Sequence, residues 1–219
     1  MSTEYWLYLI IGLVVFNYLF STVLDFINDK NWKDEIPPLM KDYYDEGKYV
    51  KAKNYAKEKG RISLISSTLS TVITILFLAF EGYGWLDSII ANYYDIPFLQ
   101  SGLFFLTLFI LSDFISIPFS CYNTFVIEEK YGFNKTTVKT FVIDKIKGYV
   151  LTLTIGGGLL AASLYLVSIL VNGFWLWLWI GLAILMLFIN MFYADIIVPI
   201  FNKLTPLERG SLREKIEAY

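Results

Sequence analysis

The sequence predicts an all-α integral membrane protein with five transmembrane helices, N-terminus outside and C-terminus cytoplasmic, with amphipathic helices on the cytoplasmic side. Three observations predict it. Of 219 residues, 56% are hydrophobic and 17% charged, and the mean hydropathy is +0.55, too apolar for an ordinary soluble domain. Apolar runs at residues 5–24, 62–84, 98–125, 149–171 and 174–201 each have the ~20 residues that a bilayer crossing takes. Cations alternate between the connections: 9 lie in Asp25 to Arg61, 5 in Val126 to Gly148 and 4 after Phe201, which accounts for all 18. That alternation places those three segments in the cytoplasm.

The first run, Tyr5 to Leu24, follows Glu4, lacks a basic lead and has no small-residue cleavage site behind it, so it reads as a span and not a signal peptide. Asp25 to Arg61 is charged, with Pro37-Pro38 and a predicted helix from Leu39 to Lys59. Between spans two and three, Trp85 to Pro97 reads as a loop. Tyr83, Trp85, Tyr93 and Tyr94, with Trp175, Trp177 and Trp179, form an outer aromatic belt at headgroup level. Asn172-Gly173 is a tight turn that makes an antiparallel hairpin of spans four and five. Gly156-Gly157-Gly158 with Ala161 and Ala162 suits close helix approach and not phosphate binding, because no Gly-Lys-Ser/Thr follows. Pro118 and Pro199 each remove a backbone donor and predict kinks near the cytoplasmic side.

Polar residues recur inside the runs at helical spacing: Asn17, Ser21 and Asp25 in span one; Ser63, Ser66, Ser67, Ser70, Thr71 and Thr74 in span two; Asp113, Ser116, Ser120, Asn123 and Thr124 in span three. Such stripes suit dry packing, with hydroxyls bonded across helices or back to their own carbonyls, or a hydrated vestibule open to the cytoplasm. A carboxylate at the centre of a membrane helix costs about 2.5–3.5 kcal/mol, so Asp113 and Asp195 are expected to face protein or water, which favours the vestibule.

Composition also excludes functions. The net charge is −2 and the lysines are interspersed with acids, so no nucleic-acid partner is expected. Cys121 is the one cysteine, which rules out an internal disulfide and reads as a small buried apolar residue. Histidine is absent, and with it the commonest metal ligand and general base.

The segment Phe125-Val-Ile-Glu-Glu-Lys-Tyr-Gly-Phe-Asn-Lys-Thr-Thr137 places charges, a helix stop at Gly132 and a helix start between two apolar runs. Asn134 reads as the N-cap of a helix whose apolar face carries Val138, Phe141, Val142, Ile146 and Tyr149. Glu128 and Glu129 stand at a helix C-terminus, where carboxylates cost about 0.3–1 kcal/mol unless a cation compensates. Lys130, Lys135, Arg209 or an arginine of a docked domain would serve.

This segment resembles the signature cytoplasmic loop of the CAAX prenyl protease family, multi-span zinc metalloendopeptidases that cleave prenylated C-terminal tails. Pro199-Ile-Phe-Asn-Lys-Leu-Thr-Pro-Leu-Glu-Arg-Gly-Ser-Leu-Arg-Glu-Lys-Ile-Glu217 is similar to that family's exit from its fifth span, and the resemblance covers its N-terminal membrane portion. The family's zinc, as the resemblance implies, is held by an H-E-x-x-H helix and a later Glu. No residue here matches those ligands, so this chain is expected to hold no metal or catalytic residue, Zn2+ belonging to the full-length member.

Residues 1–206 then read as a five-span membrane domain and 207–219 as the start of a linker helix to a missing C-terminal catalytic domain, with Leu212, Ile216 and Tyr219 on one bare face. The resemblance implies a chamber-forming fragment of a zinc metalloendopeptidase, inactive alone, acting on a peptide substrate with a prenylated or hydrophobic C-terminus. Its partners are the lipid bilayer, the catalytic domain and that substrate. Glu128, Glu129, Asn134, Lys135, Asn202 and Lys203 are candidates for the docking edge or chamber rim; Asp113, Ser116, Ser120, Asn123 and Asp195 are the intramembrane polar candidates. The membrane would be a bacterial inner membrane or, in a eukaryote, that of the endoplasmic reticulum or nucleus. One alternative is a five-span transporter or channel subunit using Asp113 and Asp195, against which stands the lack of an internal repeat. Another is a scaffold without a cavity.

Overall fold

A computed structural model describes residues 3–33, 35–36, 45–170, 172–203, 205, 207 and 209–218. All regular structure among them is helical. Five helical stretches are long and apolar enough to cross a membrane: Glu4–Asn31, Glu46–Ala79, Pro97–Tyr131, Val138–Ile169 and Phe174–Phe201. The chain divides into two compact units, Met1–Thr136 and Thr137–Tyr219.

In the first unit α1 spans Thr3–Asn31 and α2 spans Glu46–Ala79. The N-cap of α2 is Asp45, whose Oδ1 accepts from the Lys48 amide at 2.9 Å. The predicted helix from Leu39 begins outside the described residues. From Glu46 onward it does not stop at Lys59 but runs without a break into the second span. With 34 residues α2 is about 51 Å long against a hydrocarbon layer of about 30 Å. No residue between Lys59 and Ile62 forces a stop, so the polar helix continues as the membrane helix. Tyr18 and Thr68 share a 2.7 Å hydrogen bond that joins α1 to α2, and the Trp32 and Tyr49 rings meet edge to face.

The predicted loop after span two is largely a helix, α3, Gly82–Tyr93, with Leu86 and Ile90 buried. It is entered through Glu81 in the left-handed region at φ 54°. At Gly82 a Cβ would stand 2.8 Å from Cδ1 of Phe77, so only glycine fits. Helix α4, Pro97–Tyr122, contains Pro118. It continues as a π-helical segment, Asn123–Glu128, and a last turn, α5, Glu129–Tyr131. Gly132 ends it at φ 78°, the left-handed stop that the sequence predicts.

In the second unit α6, Val138–Ile169, is again one helix from its polar start through the fourth span. Its N-cap is Thr137, whose hydroxyl accepts from the Thr140 amide at 3.2 Å; Asn134, the predicted cap, lies one turn too early. The turn at Gly173, φ 78°, leads into α7, Phe174–Phe192. A second π-helical segment, Tyr193–Ile197, and the short α8, Val198–Phe201, complete the fifth span. Pro199 lies inside this unbroken helical stretch, just after the π-helical segment. Lys147 near the start of α6 lies 5.9 Å from the Phe201 ring centroid at the end of α8, so the two spans run antiparallel. The last helix, α9, is Ser211–Glu217, shorter than predicted because the helix starts only after Gly210.

Few side chains are buried: Ile36, Leu86, Ile90, Ile127 and Tyr131 are the buried hydrophobics among the described residues. The spans turn Phe16, Phe20, Phe114 and Leu187 outward, where lipid takes the place of a protein core.

Candidate functional site

The segment Asn123–Phe133 folds against the polar stem of α2, wholly within the first unit. Ile127 is its anchor, 1% exposed, with Tyr131 buried beside it. On the stem, Tyr55, Glu58 and Lys59 stand at i, i+3 and i+4, one face of a helix. The Tyr55 ring meets those of Tyr131 and Phe133 at centroid distances of 5.3 and 4.9 Å.

Charges cross this contact in both directions. Glu128 Oε1 lies 3.4 Å from Lys59 Nζ, and Lys59 also donates to the Tyr55 hydroxyl at 3.1 Å. Glu58 Oε1 accepts from Lys130 Nζ and, at 3.0 Å, from the Tyr131 hydroxyl. The cation on Glu128 is therefore Lys59, a residue the helix-end argument passed over, while Lys130 is taken by Glu58. Asn123 Nδ2 donates to Glu128 Oε1 at 3.3 Å, five residues along the chain. In an α-helix of 3.6 residues per turn such a pair stands about 140° apart; the i→i+5 pattern of the π-helical segment brings the two together.

The loop beyond is fixed by its own polar groups. The amides of Phe133 and Asn134 both donate to the Glu128 carbonyl, at 2.8 and 3.1 Å. Asn134 Nδ2 donates to Glu129 Oε2 at 3.0 Å, and its Oδ1 accepts from the Thr136 amide at 2.7 Å. Of the rim candidates in this unit, Glu128, Glu129 and Asn134 are thus tied into one loop, and Lys135 is exposed beside them. Asn202 and Lys203 are exposed in the second unit, just past α8.

The intramembrane candidates Asp113, Ser116 and Ser120 lie on α4 at spacings of three and four and are half-buried, as is Asn123 in the segment that follows. Ser116 Oγ donates to the Ser112 carbonyl at 2.8 Å. On α2, Ser67 and Thr68 donate to the Leu64 carbonyl and Thr74 to that of Ser70. These hydroxyls meet their bonding needs locally and leave their outer lone pairs for a neighbour or for water. Asp195 is exposed on the second π-helical segment.

Two π-helical segments, each closing a span and each carrying candidate residues, have no counterpart in the sequence reading. Nor does the sequence reading pair Tyr55, Glu58 and Lys59 with Tyr131 and its loop. The signal that could have found them is complementarity: Glu-Lys at 58–59 faces Glu-Glu-Lys-Tyr at 128–131.

The comparisons bear on this architecture directly. Residues 28–203 match the family described as CAAX prenyl protease N-terminal, five membrane helices. The chain belongs to that family. It is 35% identical over 202 residues to the probable CAAX prenyl protease 1 of Schizosaccharomyces pombe, covering 84% of this chain and 42% of that one. To the CAAX prenyl protease 1 homolog of Homo sapiens it is 33% identical over 211 residues, 91% of this chain and 44% of the other. The crystal structure of S. mikatae Ste24p superposes with a TM-score of 0.86 at 27% identity, covering 97% of this chain and 51% of that one. The chain spans about half the length of the curated relatives it matches. As a member of the CAAX prenyl protease family with five membrane-crossing helices, it is an integral membrane protein.

The metal that the family implies can be tested against the residues present. Histidine is absent, and among the described residues no three His, Cys, Asp or Glu side chains gather where a metal ion would sit. These residues do not suit zinc.

Proposed function

We propose that this chain is the membrane-embedded, chamber-forming part of a zinc metalloendopeptidase that cleaves prenylated or hydrophobic peptide C-termini. It works with a histidine-bearing peptidase module, on the same polypeptide or another, and hydrolyses nothing without it. The superposition on S. mikatae Ste24p over 97% of this chain carries the reading, and the relatives, CAAX prenyl proteases, supply the substrate class. The membrane is that of the endoplasmic reticulum or nucleus, in keeping with relatives from fission yeast and human.

In this reading the N-terminus lies outside and the cation-rich connections face the cytoplasm. The chain binds and orients the substrate. Packed apolar helices exclude bulk water around the lipid-like part of the peptide, and the hydroxyl stripes of α2 and α4, with Asp113, present polar atoms to its backbone. Glu128, Glu129, Asn134 and Lys135 form a rim on which the peptidase module sits, and Asn202 marks a docking edge of its own past α8. The contact with α2 holds that rim still, since Ile127 and the Lys59–Glu128 pair fix the loop's origin. Asp113 and Asp195 as ion sites are not favoured.

Photo-crosslinking tests this. In lipid nanodiscs, a farnesylated C-terminal peptide with a diazirine in its prenyl chain is expected to label α2 and α4, and an excess of unlabelled prenylated peptide to compete. Labelling that an excess of unlabelled prenylated peptide leaves undiminished, or zinc-dependent hydrolysis by the 219-residue chain alone, contradicts the proposal.

A further inference from the structure

In the second unit, the start of α6 and the end of α8 gather cations beside an exposed apolar row. Val138, Val142, Ile146 and Val150 follow one another four residues apart and are 65%, 49%, 54% and 60% exposed, a single row on the helix surface. Lys139 sits beside this row, with Val142 and Ile143 at i+3 and i+4. Lys145 and Lys147 follow near the second turn beyond it, and Lys147 approaches the ring of Phe201 at the end of α8, two residues before the exposed Lys203. Asp144, 3.7 Å from Lys147, is the one acid in the first three turns of α6.

Length places this end relative to the bilayer. Tyr149 to Ile169 already supplies the ~20 residues that a crossing takes, yet α6 is one helix of 32 residues, about 48 Å. Its first three turns must stand in water with Val138, Val142, Ile143 and Ile146 exposed or lie in the interface. Tilt brings the row into the boundary between headgroups and acyl chains, and lysines beside such a row extend their stems along it and place their ammonium groups among the headgroups.

We propose that this end of the α6–α8 pair binds anionic phospholipid headgroups through Lys139, Lys145, Lys147 and Lys203, with Val138, Val142 and Ile146 seated in the acyl boundary beneath them. The charge is complementary to an anionic leaflet, and the surface continues into a membrane span without a break. The stem of α2 is also basic, but Lys48, Lys51, Lys53 and Lys57 are spread around that helix and no comparable apolar row accompanies them. The bound lipid fixes the start of α6.

Native mass spectrometry of the full chain, purified in micelles with equal amounts of phosphatidylserine and phosphatidylcholine, reads the preference directly. Phosphatidylserine is expected to be retained over phosphatidylcholine, by about fivefold for each lysine engaged. The combined Lys139→Gln, Lys145→Gln, Lys147→Gln and Lys203→Gln variant is expected to lose that preference, whereas Lys48→Gln, Lys51→Gln and Lys53→Gln together keep it. Elution profile and helix content check that each variant folds. Should the fourfold variant fail that check, Lys139→Gln and Lys203→Gln alone are each expected to lower the preference by about fivefold. Equal retention by the unaltered chain, a preference that survives the α6–α8 substitutions, or its loss in the α2 variant overturns the proposal.

Discussion

Replacing Ile127 by alanine tests whether the signature loop is held by packing against α2. Ile127 is 1% exposed, the most deeply buried large side chain among the described residues. Ile→Ala at such a site costs about 2–5 kcal/mol, transfer and cavity terms together. The loss falls where the Phe133 and Asn134 amides are bonded to the Glu128 carbonyl, so it promotes local opening of that turn. At about 1.4 kcal/mol per factor of ten, a loss of 2 kcal/mol raises the exchange rates of these two amides about thirtyfold. Hydrogen exchange read by mass spectrometry in nanodiscs measures this. Ile110→Ala, at a position 56% exposed, serves as the control and should leave the loop unchanged. Less than about a threefold rise for Ile127→Ala, about 0.7 kcal/mol by the same conversion, would refute the reasoning.

Three further outcomes are expected. A double-mutant cycle on Lys59 and Glu128, read by the same amides, should give a coupling of about 0.2–1 kcal/mol, because both side chains are partly solvated at 40% and 26% exposure; coupling of Lys59 to Glu129 in its place would show the pairing wrong. Gly132→Ala, at φ 78°, should cost about 1–2 kcal/mol, whereas at the helical Gly157, where an added Cβ meets nothing within 4 Å, alanine should stabilise by up to about 1 kcal/mol; similar effects at both sites would remove the left-handed stop from the account. A cycle on Tyr18 and Thr68 should give about 0.6 kcal/mol, the usual worth of an interhelical hydrogen bond in lipid; steric trapping in bicelles measures it, and zero coupling would mean that α1 and α2 do not meet there.

The five spans were legible because lipid demands unbroken apolar runs, and the runs beginning near Tyr5, Phe98 and Phe174 all appear as crossing helices. Their ends were less legible. A polar helix and an apolar helix use the same backbone bonds, so nothing in the sequence separates Lys59 from Ile62, or Gly148 from Tyr149. Gly132 could be read because a left-handed stop leaves a residue-type signature; Asn134 was misread because an Asx turn and an N-cap draw on the same side chain. Lys59 and Glu128 are 69 residues apart, and a pairing over that separation leaves no periodic trace. The π-helical segments widen a helix by one residue per turn with no change of composition, and Asn123 to Glu128 became a contact only once that widening was visible.

The chamber itself is tested by water access. In a Cys121→Ser background, cysteines at Ser70 and Ser116 on the polar stripes and at Phe114, 75% exposed on the apolar side of α4, are treated in nanodiscs with a charged methanethiosulfonate that cannot enter lipid. A chamber open to solvent predicts modification at Ser70→Cys and Ser116→Cys and none at Phe114→Cys; resistance at all three would mean that the stripes pack dry and that no chamber exists.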